Sequence, residues 1–229
     1  MTTDFRYEIK FVLSEFALAG FLSWMYMSTS CRKKYPNRMV NSVYFDDVNF
    51  MSARDNLAGA PERMKTRLRW YQYGDNYPNS TPVWEKKFKL GRLGKKETVK
   101  LHTLGDSFYN TPFLEIITLI KSELTDSNSS CLDYLVPTLS VSYLRHYYEN
   151  VSGLRITIDE HIKFKSPLSM HEPLNKRCDI HYGSKIVELK FAPSLKDSVS
   201  ELIRPLRLTP VRHSKYLIGL AMSGQALYL

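Results

Sequence analysis

Stretch after stretch of this chain alternates apolar and polar residues with a period of two, and cations dominate the polar half of the alternation. Residues 5–11 set Phe5, Tyr7, Ile9 and Phe11 against Arg6, Glu8 and Lys10. Residues 64–71 set Met64, Thr66, Leu68 and Trp70 against Lys65, Arg67, Arg69 and Tyr71. Residues 83–89 place Glu85, Lys87 and Lys89 opposite Trp84, Lys86 and Phe88, and 185–191 place Glu188 and Lys190 opposite Val187, Leu189 and Phe191. Side chains of a strand point to opposite faces in turn, so each stretch is a strand with one charged face. Further strands are expected at 42–45, 96–101, 138–148 and 154–159, with a hairpin turn at 91–94.

Three helices interrupt the strands. Ser14 is an N-cap for a helix to about residue 28, Thr111 and Pro112 open one over 113–124, and Ser214 opens one to about Ala226. Arg32, Lys33 and Lys34 read as a solvated basic loop, and 126–130 as a polar one. Few helices among many antiparallel strands, with no linker or repeat, predict a single α+β domain over residues 1–229.

The charge balance narrows the partner. Lys and Arg number 32 against 23 Asp and Glu, a net charge of +9. Cys31, Cys131 and Cys178 share no CxxC spacing, which argues against a zinc cluster or a disulfide scaffold and for a reducing cytoplasm. The longest apolar run, around 16–27, is too short to span a bilayer and lacks a basic leader. The cations alternate along strands instead of lining one helix, and no nucleic-acid-binding signature appears, so nucleic acid is disfavoured.

Two like charges about 6 Å apart repel by about 3 kcal/mol at an effective dielectric near 20. A face bearing Arg6, Lys10, Lys65, Arg67, Arg69, Lys87, Lys89, Lys96, Lys100, Arg155 and Lys190 therefore needs embedded carboxylates and a bound polyanion. A closed or nearly closed sheet, apolar faces outward under helices and charged faces inward, would meet that need. Such an interior suits phosphates, with a carboxylate left over for a divalent metal.

Six segments in order, RYEIKF (6–11), SVYFDD (42–47), RLRWY (67–71), VWEKKFK (83–89), LRITID (154–159) and IVELKF (186–191), followed by RHSKYLIGL (212–220), carry a resemblance. Together they resemble the catalytic domain of the vacuolar transporter chaperone (VTC) polyphosphate polymerases, of the triphosphate tunnel metalloenzyme superfamily. The resemblance implies an eight-stranded antiparallel β-barrel tunnel with helices packed outside. It implies phosphate contacts from Lys10, Arg54, Arg67, Arg69, Lys87, Lys100, Arg145, Arg155, Lys190, Ser214 and Lys215. Among these Arg67, Arg69, Lys87 and Lys215, with Glu188, are the catalytic candidates. Glu188 resembles the metal-binding glutamate, and Glu8 and Glu85 are further carboxylates open to that role. The related cyclase and thiamine-triphosphatase branch carries E-x-E-x-K in its first strand; here Arg6 takes the first acidic position, which favours the polymerase-like branch.

The implied activity is a phosphotransferase using Mn²⁺ or Mg²⁺ that moves the terminal phosphoryl of ATP or another nucleoside triphosphate onto a polyphosphate or pyrophosphate acceptor. Two alternatives use the same fold: a metal-dependent tripolyphosphatase or nucleoside triphosphatase, and a non-catalytic polyphosphate- or nucleotide-binding module. Among bland readings, Gly91–Lys96 is a turn and not a phosphate loop, Trp70 and Trp84 are core residues, and His213 is not a base.

Overall fold

A computed structural model describes residues 6–72, 80–90, 93–105, 108–124, 130–165, 171 and 178–225. Expectations at Phe5, at Gly91 and Arg92, at residues 126–129 and at Ala226 lie outside these. Among the described residues nine strands form: β1 (Tyr7–Leu13), β2 (Arg32–Asp46), β3 (Glu62–Gln72), β4 (Val83–Leu90), β5 (Leu93–Lys100), β6 (Val136–Glu149), β7 (Arg155–Lys165), β8 (Ile180–Tyr182) and β9 (Lys185–Phe191). Among the described residues five α-helices accompany them: α1 (Glu15–Ser28), α2 (Met51–Ala58), α3 (Phe113–Glu123), α4 (Lys196–Ile203) and α5 (Lys215–Met222). The strands hydrogen-bond in the order β1-β9-β7-β6-β2-β3-β4-β5, with β8 on β7. The expected α+β antiparallel class is present, but the described pairings form an open path of eight strands with β8 beside β7, not a closed ring. One reason is local to β1: the backbone N–H of Val211 donates to the Lys10 carbonyl at 2.9 Å. A chain segment thus lies against the edge of β1 that β9 does not use.

The chain divides into two compact units, each assembled from separated segments. The first comprises Met1–Arg38, Tyr143–Ile162 and Tyr182–His213. Here β9 lies between β1 and β7, with Lys10 opposite Glu188, Glu8 opposite Lys190, and Arg155 opposite Lys190. Phe11, Ile156, Ile158, Val187, Leu189 and Phe191 project to the other face and pack under Leu18, Phe21 and Met25 of α1 and Val199 of α4. Ser14 caps α1 as its position suggests, its Oγ accepting from the Ala17 N–H at 3.2 Å. The α4 helix has no counterpart in the sequence reading, although Val199, Leu202 and Ile203 fall at helical spacing and pack toward the core of this unit.

Residues 32–34 are strand, not the solvated loop expected of three consecutive basic residues. The first five residues of β2 are all exposed, so backbone pairing and not side-chain burial makes this segment a strand. Alternation, the signal of a half-buried strand, is absent there for that reason.

The second unit comprises Met39–Ser142, Lys163–His181 and Ser214–Leu229. The pairing of β2 with β3, β3 with β4 and β4 with β5 sends Val43, Phe45, Leu68, Trp70 and Trp84 to one face. They meet Phe113, Ile116, Ile117 and Ile120 of α3, with Phe45 edge-on to Trp84 at 5.0 Å. Trp70 and Trp84 are core residues, as expected. The short α2 follows β2 because two aspartates cap it. Asp46 accepts from Ser52 N–H at 2.9 Å and Ala53 N–H at 3.0 Å, and Asp47 accepts from Met51 N–H at 2.9 Å. Ser214 caps α5, accepting from Leu217 N–H at 3.5 Å. No helix among the described residues is long and apolar enough to cross a membrane.

Gly219 of α5 is where helix propensity and packing conflict. A Cβ there would strike Leu139 and come within 2.7 Å of Phe164, and both of those side chains are fully buried. Alanine in an exposed helix stabilises by about 1 kcal/mol over glycine; here overpacking costs about 1–3 kcal/mol. Gly219→Ala should lower the thermal midpoint, and an unchanged or raised midpoint in calorimetry would show that α5 is not seated against Leu139 and Phe164.

Candidate active site

In the second unit the pairing gathers one polar face. Tyr44, Arg67, Glu85 and Thr98 form one cross-strand row, Lys65, Lys87 and Lys96 another, and Ser42, Arg69, Val83 and Lys100 a third. Arg63 and Lys89 lie opposite each other on the same face. Eight cations (Arg63, Lys65, Arg67, Arg69, Lys87, Lys89, Lys96 and Lys100) therefore share the face with one carboxylate, Glu85, among the described paired residues of β2 to β5. Like charges directly opposite each other on a sheet are destabilising, so such a face persists where its charge is of use.

Glu85 holds this array together. Its Oε2 accepts from Arg67 Nε at 2.6 Å, with Arg67 Nη2 also at 2.6 Å and Arg69 Nη1 at 4.0 Å. Its Oε1 accepts from Lys96 Nζ at 2.8 Å. With both oxygens engaged by cations, Glu85 is organised as an anchor for arginines. Burial alone would raise its pKa, but Arg67, Arg69 and Lys96 override that and bring it down to about 2 from 4.5.

Tyr44, which the sequence places in a strand but gives no role, completes the hold on Arg67. Its hydroxyl accepts from Arg67 Nη1 at 3.2 Å, and its ring stacks on Tyr216 of α5 at 4.9 Å. Tyr216 in turn donates to Asp46 at 2.8 Å. Burial would push the Tyr44 hydroxyl up, yet Arg67, Arg69 and Lys65 bring it down to about 7. The signal was available: Ser42, Tyr44 and Asp46 alternate with Val43 and Phe45, so Tyr44 belongs to the polar face. Ser214 and Lys215 open α5, and Lys65 Nζ donates to Ser214 Oγ at 3.2 Å. The cap hydroxyl thus stands at the cationic face. Arg54 lies exposed on α2; Lys87 and Lys100 are exposed on the polar face.

The first unit mixes signs. Lys10 Nζ stands 2.8 Å from Glu8 and 3.8 Å from Glu188, and Lys190 Nζ stands 3.3 Å from Glu188 and 3.9 Å from Glu8. Lys10 also donates to the His213 carbonyl at 3.3 Å. Arg145 donates both prongs of its fork to Asp159, at 2.6 and 2.8 Å, and lies 3.9 Å from Glu188. Arg155 donates to Glu149 at 3.2 Å. Asp159, buried at 1% exposure, is the counter-ion that keeps Arg145 in place. Burial would raise the Glu8 pKa, but the adjacent Glu188 carboxyl with Lys10 and Lys190 holds it well below the usual carboxylate range.

Glu8 and Glu188 share two lysines, Lys10 and Lys190, each within 3.9 Å of both carboxylates. Two carboxylates with all-oxygen donors fit Mn²⁺ or Mg²⁺, which accept one or two protein carboxylates and complete their shell with substrate phosphates and water. Among the described residues no group of three or more His, Cys, Asp or Glu side chains forms a metal cage. The fit is therefore to an ion shared with a phosphate ligand, not to one enclosed by protein.

A model of the VTC domain matches residues 5–223. The chain belongs to the VTC-domain family. Comparison with curated proteins gives no match. Solved structures show the fold. An adenylyl cyclase candidate from Hippeastrum, described as having a dominant triphosphatase activity, aligns over 96% of this chain and 97% of its own at 15% identity and TM-score 0.54. A Pyrococcus horikoshii OT3 protein aligns over 96% and 98% at 14% identity and TM-score 0.52. An adenylate cyclase candidate from Vibrio parahaemolyticus aligns over 95% and 98% at 12% identity and TM-score 0.51. The VTC domain thus has the α+β antiparallel fold that its motifs implied.

Two consequences of the cationic face can be measured. Because Glu85 is depressed from 4.5 to about 2, its contribution of roughly 3 kcal/mol is complete above pH 4.5 and lost as pH falls through 2. Glu85→Gln should therefore be less stable than wild type at neutral pH, with the gap closing in acid; a gap independent of pH would overturn the ionic role. For Tyr44, depressed from 10.0 to about 7, stability is added above pH 10 and lost as pH falls through 7. Ultraviolet titration of the folded protein should show a phenolate forming at about 7 that Tyr44→Phe lacks.

Proposed function

We propose that this VTC domain, acting as one domain over its whole length, is a nucleotide-dependent polyphosphate polymerase. It would transfer the terminal phosphoryl of ATP or another nucleoside triphosphate to a polyphosphate or pyrophosphate acceptor. The observation that carries the reading is the face of eight cations whose arginines Glu85 anchors. An attacking phosphate oxygen is already ionised, so the reaction needs no strong base, and positioning with charge neutralisation supplies the catalysis.

The residues divide that work. Arg67 and Arg69, preset by Glu85, Tyr44 and Ser42, offer fixed guanidinium forks to phosphate oxygens. Lys87, between Lys65 and Lys96 in its row, is a mobile point charge able to follow a transferring group. Ser214 and Lys215 add the N-terminus of α5, where backbone N–H groups favour an anion. In the other unit Lys10, Arg145, Arg155 and Lys190 are cations for further phosphates, with Lys100 and Arg54 as outlying contacts in the second. Glu188 and Glu8 are the residues that would hold Mn²⁺ or Mg²⁺, and the ion would supply Lewis-acid neutralisation of phosphate charge. The free thiols of Cys31 and Cys178 suit a cytoplasmic setting.

A triphosphatase is the second reading, favoured by the activity described for the Hippeastrum protein and by the Glu8–Glu188 pair, which could orient a water. Purified protein with ATP and Mn²⁺ should make chains longer than triphosphate, and Glu188→Gln should slow this by roughly 100-fold or more. Orthophosphate without polymer would replace the polymerase with the hydrolase. Full activity in Glu188→Gln would remove the metal role.

A further inference from the structure

α1 carries a single charged residue, Glu15, at its first position. One side of the helix, with Leu18, Phe21 and Met25, is buried in the core of its own unit. The opposite side is open. Phe16 is 91% exposed and Met27 87% exposed, and Ala19, Gly20 and Ser23 lie exposed between them. A helix that is apolar all round is ordinarily covered all round. Bulky apolar side chains gathered on one exposed stripe mark a contact surface.

The stripe fits a second copy of itself. Phe16, Gly20, Ser23 and Met27 recur at spacings of four, three and four, the period of a seam between two helices. In size the stripe reads alike in both directions: large, small, small, large. An antiparallel copy therefore sets Phe16 against the partner's Met27 and Gly20 against the partner's Ser23, one face serving both sides of a two-fold axis. Gly20 sits in mid-helix, where glycine costs helix stability relative to alanine. No described atom lies within 4 Å of the Cβ it lacks, so packing inside the chain does not account for it; the approach of a second helix does. The Ser23 hydroxyl is satisfied within α1, donating to the Ala19 carbonyl at 3.2 Å. The two ends of the helix are oppositely charged. Glu15, which holds Lys185 at 2.9 Å, is exposed at the start, and Arg32 and Lys33 are exposed just beyond the end. Antiparallel pairing brings each Glu15 toward the partner's Arg32 and Lys33, whereas parallel pairing sets like charges together.

We propose that the open face of α1 is a self-association surface on which a second copy of this chain packs antiparallel. Phe16 and the partner's Met27 form a sulfur–aromatic contact at each end of the seam, and Gly20 and Ser23 let the two backbones close at its centre. α1 covers the apolar side of β1, β7 and β9, so pairing through it leaves the charged side of those strands open. The inference does not rest on what those charges bind.

Sedimentation of the full chain over a concentration series tests this. Wild type should pass from one chain to two. Phe16→Glu and Met27→Lys should each weaken association by roughly 30-fold or more. Both should leave the circular dichroism of the single chain unchanged, because the two positions are exposed in it. An equimolar mixture of the two variants should recover the dimer. Antiparallel pairing puts the new carboxylate against the new amine at one end and keeps Phe16 on the partner's Met27 at the other. Positions 16 and 27 lie roughly 16 Å apart along one helix, so no contact within a chain gives that recovery. A wild type that stays monomeric at every concentration would overturn the proposal; if it then floated with vesicles of anionic phospholipid, the face would belong to a lipid surface instead. A dimer that survives both single substitutions, or a mixture that does not recover it, would also overturn it.

Discussion

The structure depends on how Glu85 restrains arginine. One buried carboxylate, at 5% side-chain exposure, faces Arg67 and Arg69 and also takes Lys96. Without it the cations of β3, β4 and β5 would repel one another across the pleat with nothing of opposite sign among their paired neighbours. With it, Arg67 is fixed in direction as well as position, since Tyr44 takes a second side of its guanidinium. A charge held by a buried partner does not have to reorganise when an anion arrives, and this preorganisation makes a cationic face useful to phosphoryl transfer.

The other unit solves the same problem differently. Lys10, Lys190, Arg145 and Arg155 are interleaved with Glu8, Glu188, Asp159 and Glu149, so each charge has a neighbour of opposite sign. Such a face attracts polyanions less strongly, but it offers carboxylate oxygens close together. The two faces thus differ in chemistry although both arise from period-two alternation over a helix-covered apolar side.

Much of the site was legible in the sequence because charged residues sit at alternating positions of strands whose other positions are plainly core. Arg67, Arg69, Lys87, Glu85 and Glu188 could be put on polar faces from spacing, and the core roles of Trp70 and Trp84 followed from the same parity. Other features were not legible. α2 and α4 are only eight residues each, and what makes α2 a helix is a pair of aspartate caps whose geometry exists only after β2 has turned. Residues 32–34 are strand through backbone pairing, which leaves no mark in side-chain pattern. Strand closure was inferred from the charge of the faces and implied again by the family resemblance, and the described pairings run open from β1 to β5.

The sequence by itself determined which residues would share a strand face, because the pleat is a property of the backbone and every second residue must follow it. It also determined that cations would outnumber carboxylates on the polar positions of β3 to β5. Only the tertiary structure decided which charges meet. Register pairs Arg67 with Glu85 and Lys10 with Glu188, and a slip of one residue in either ladder would separate them. Tertiary packing also brought Tyr216 beneath Tyr44, although 172 positions (216 − 44) separate them in the chain. Contacts of that span depend on the packing of distant elements, and no local pattern records them.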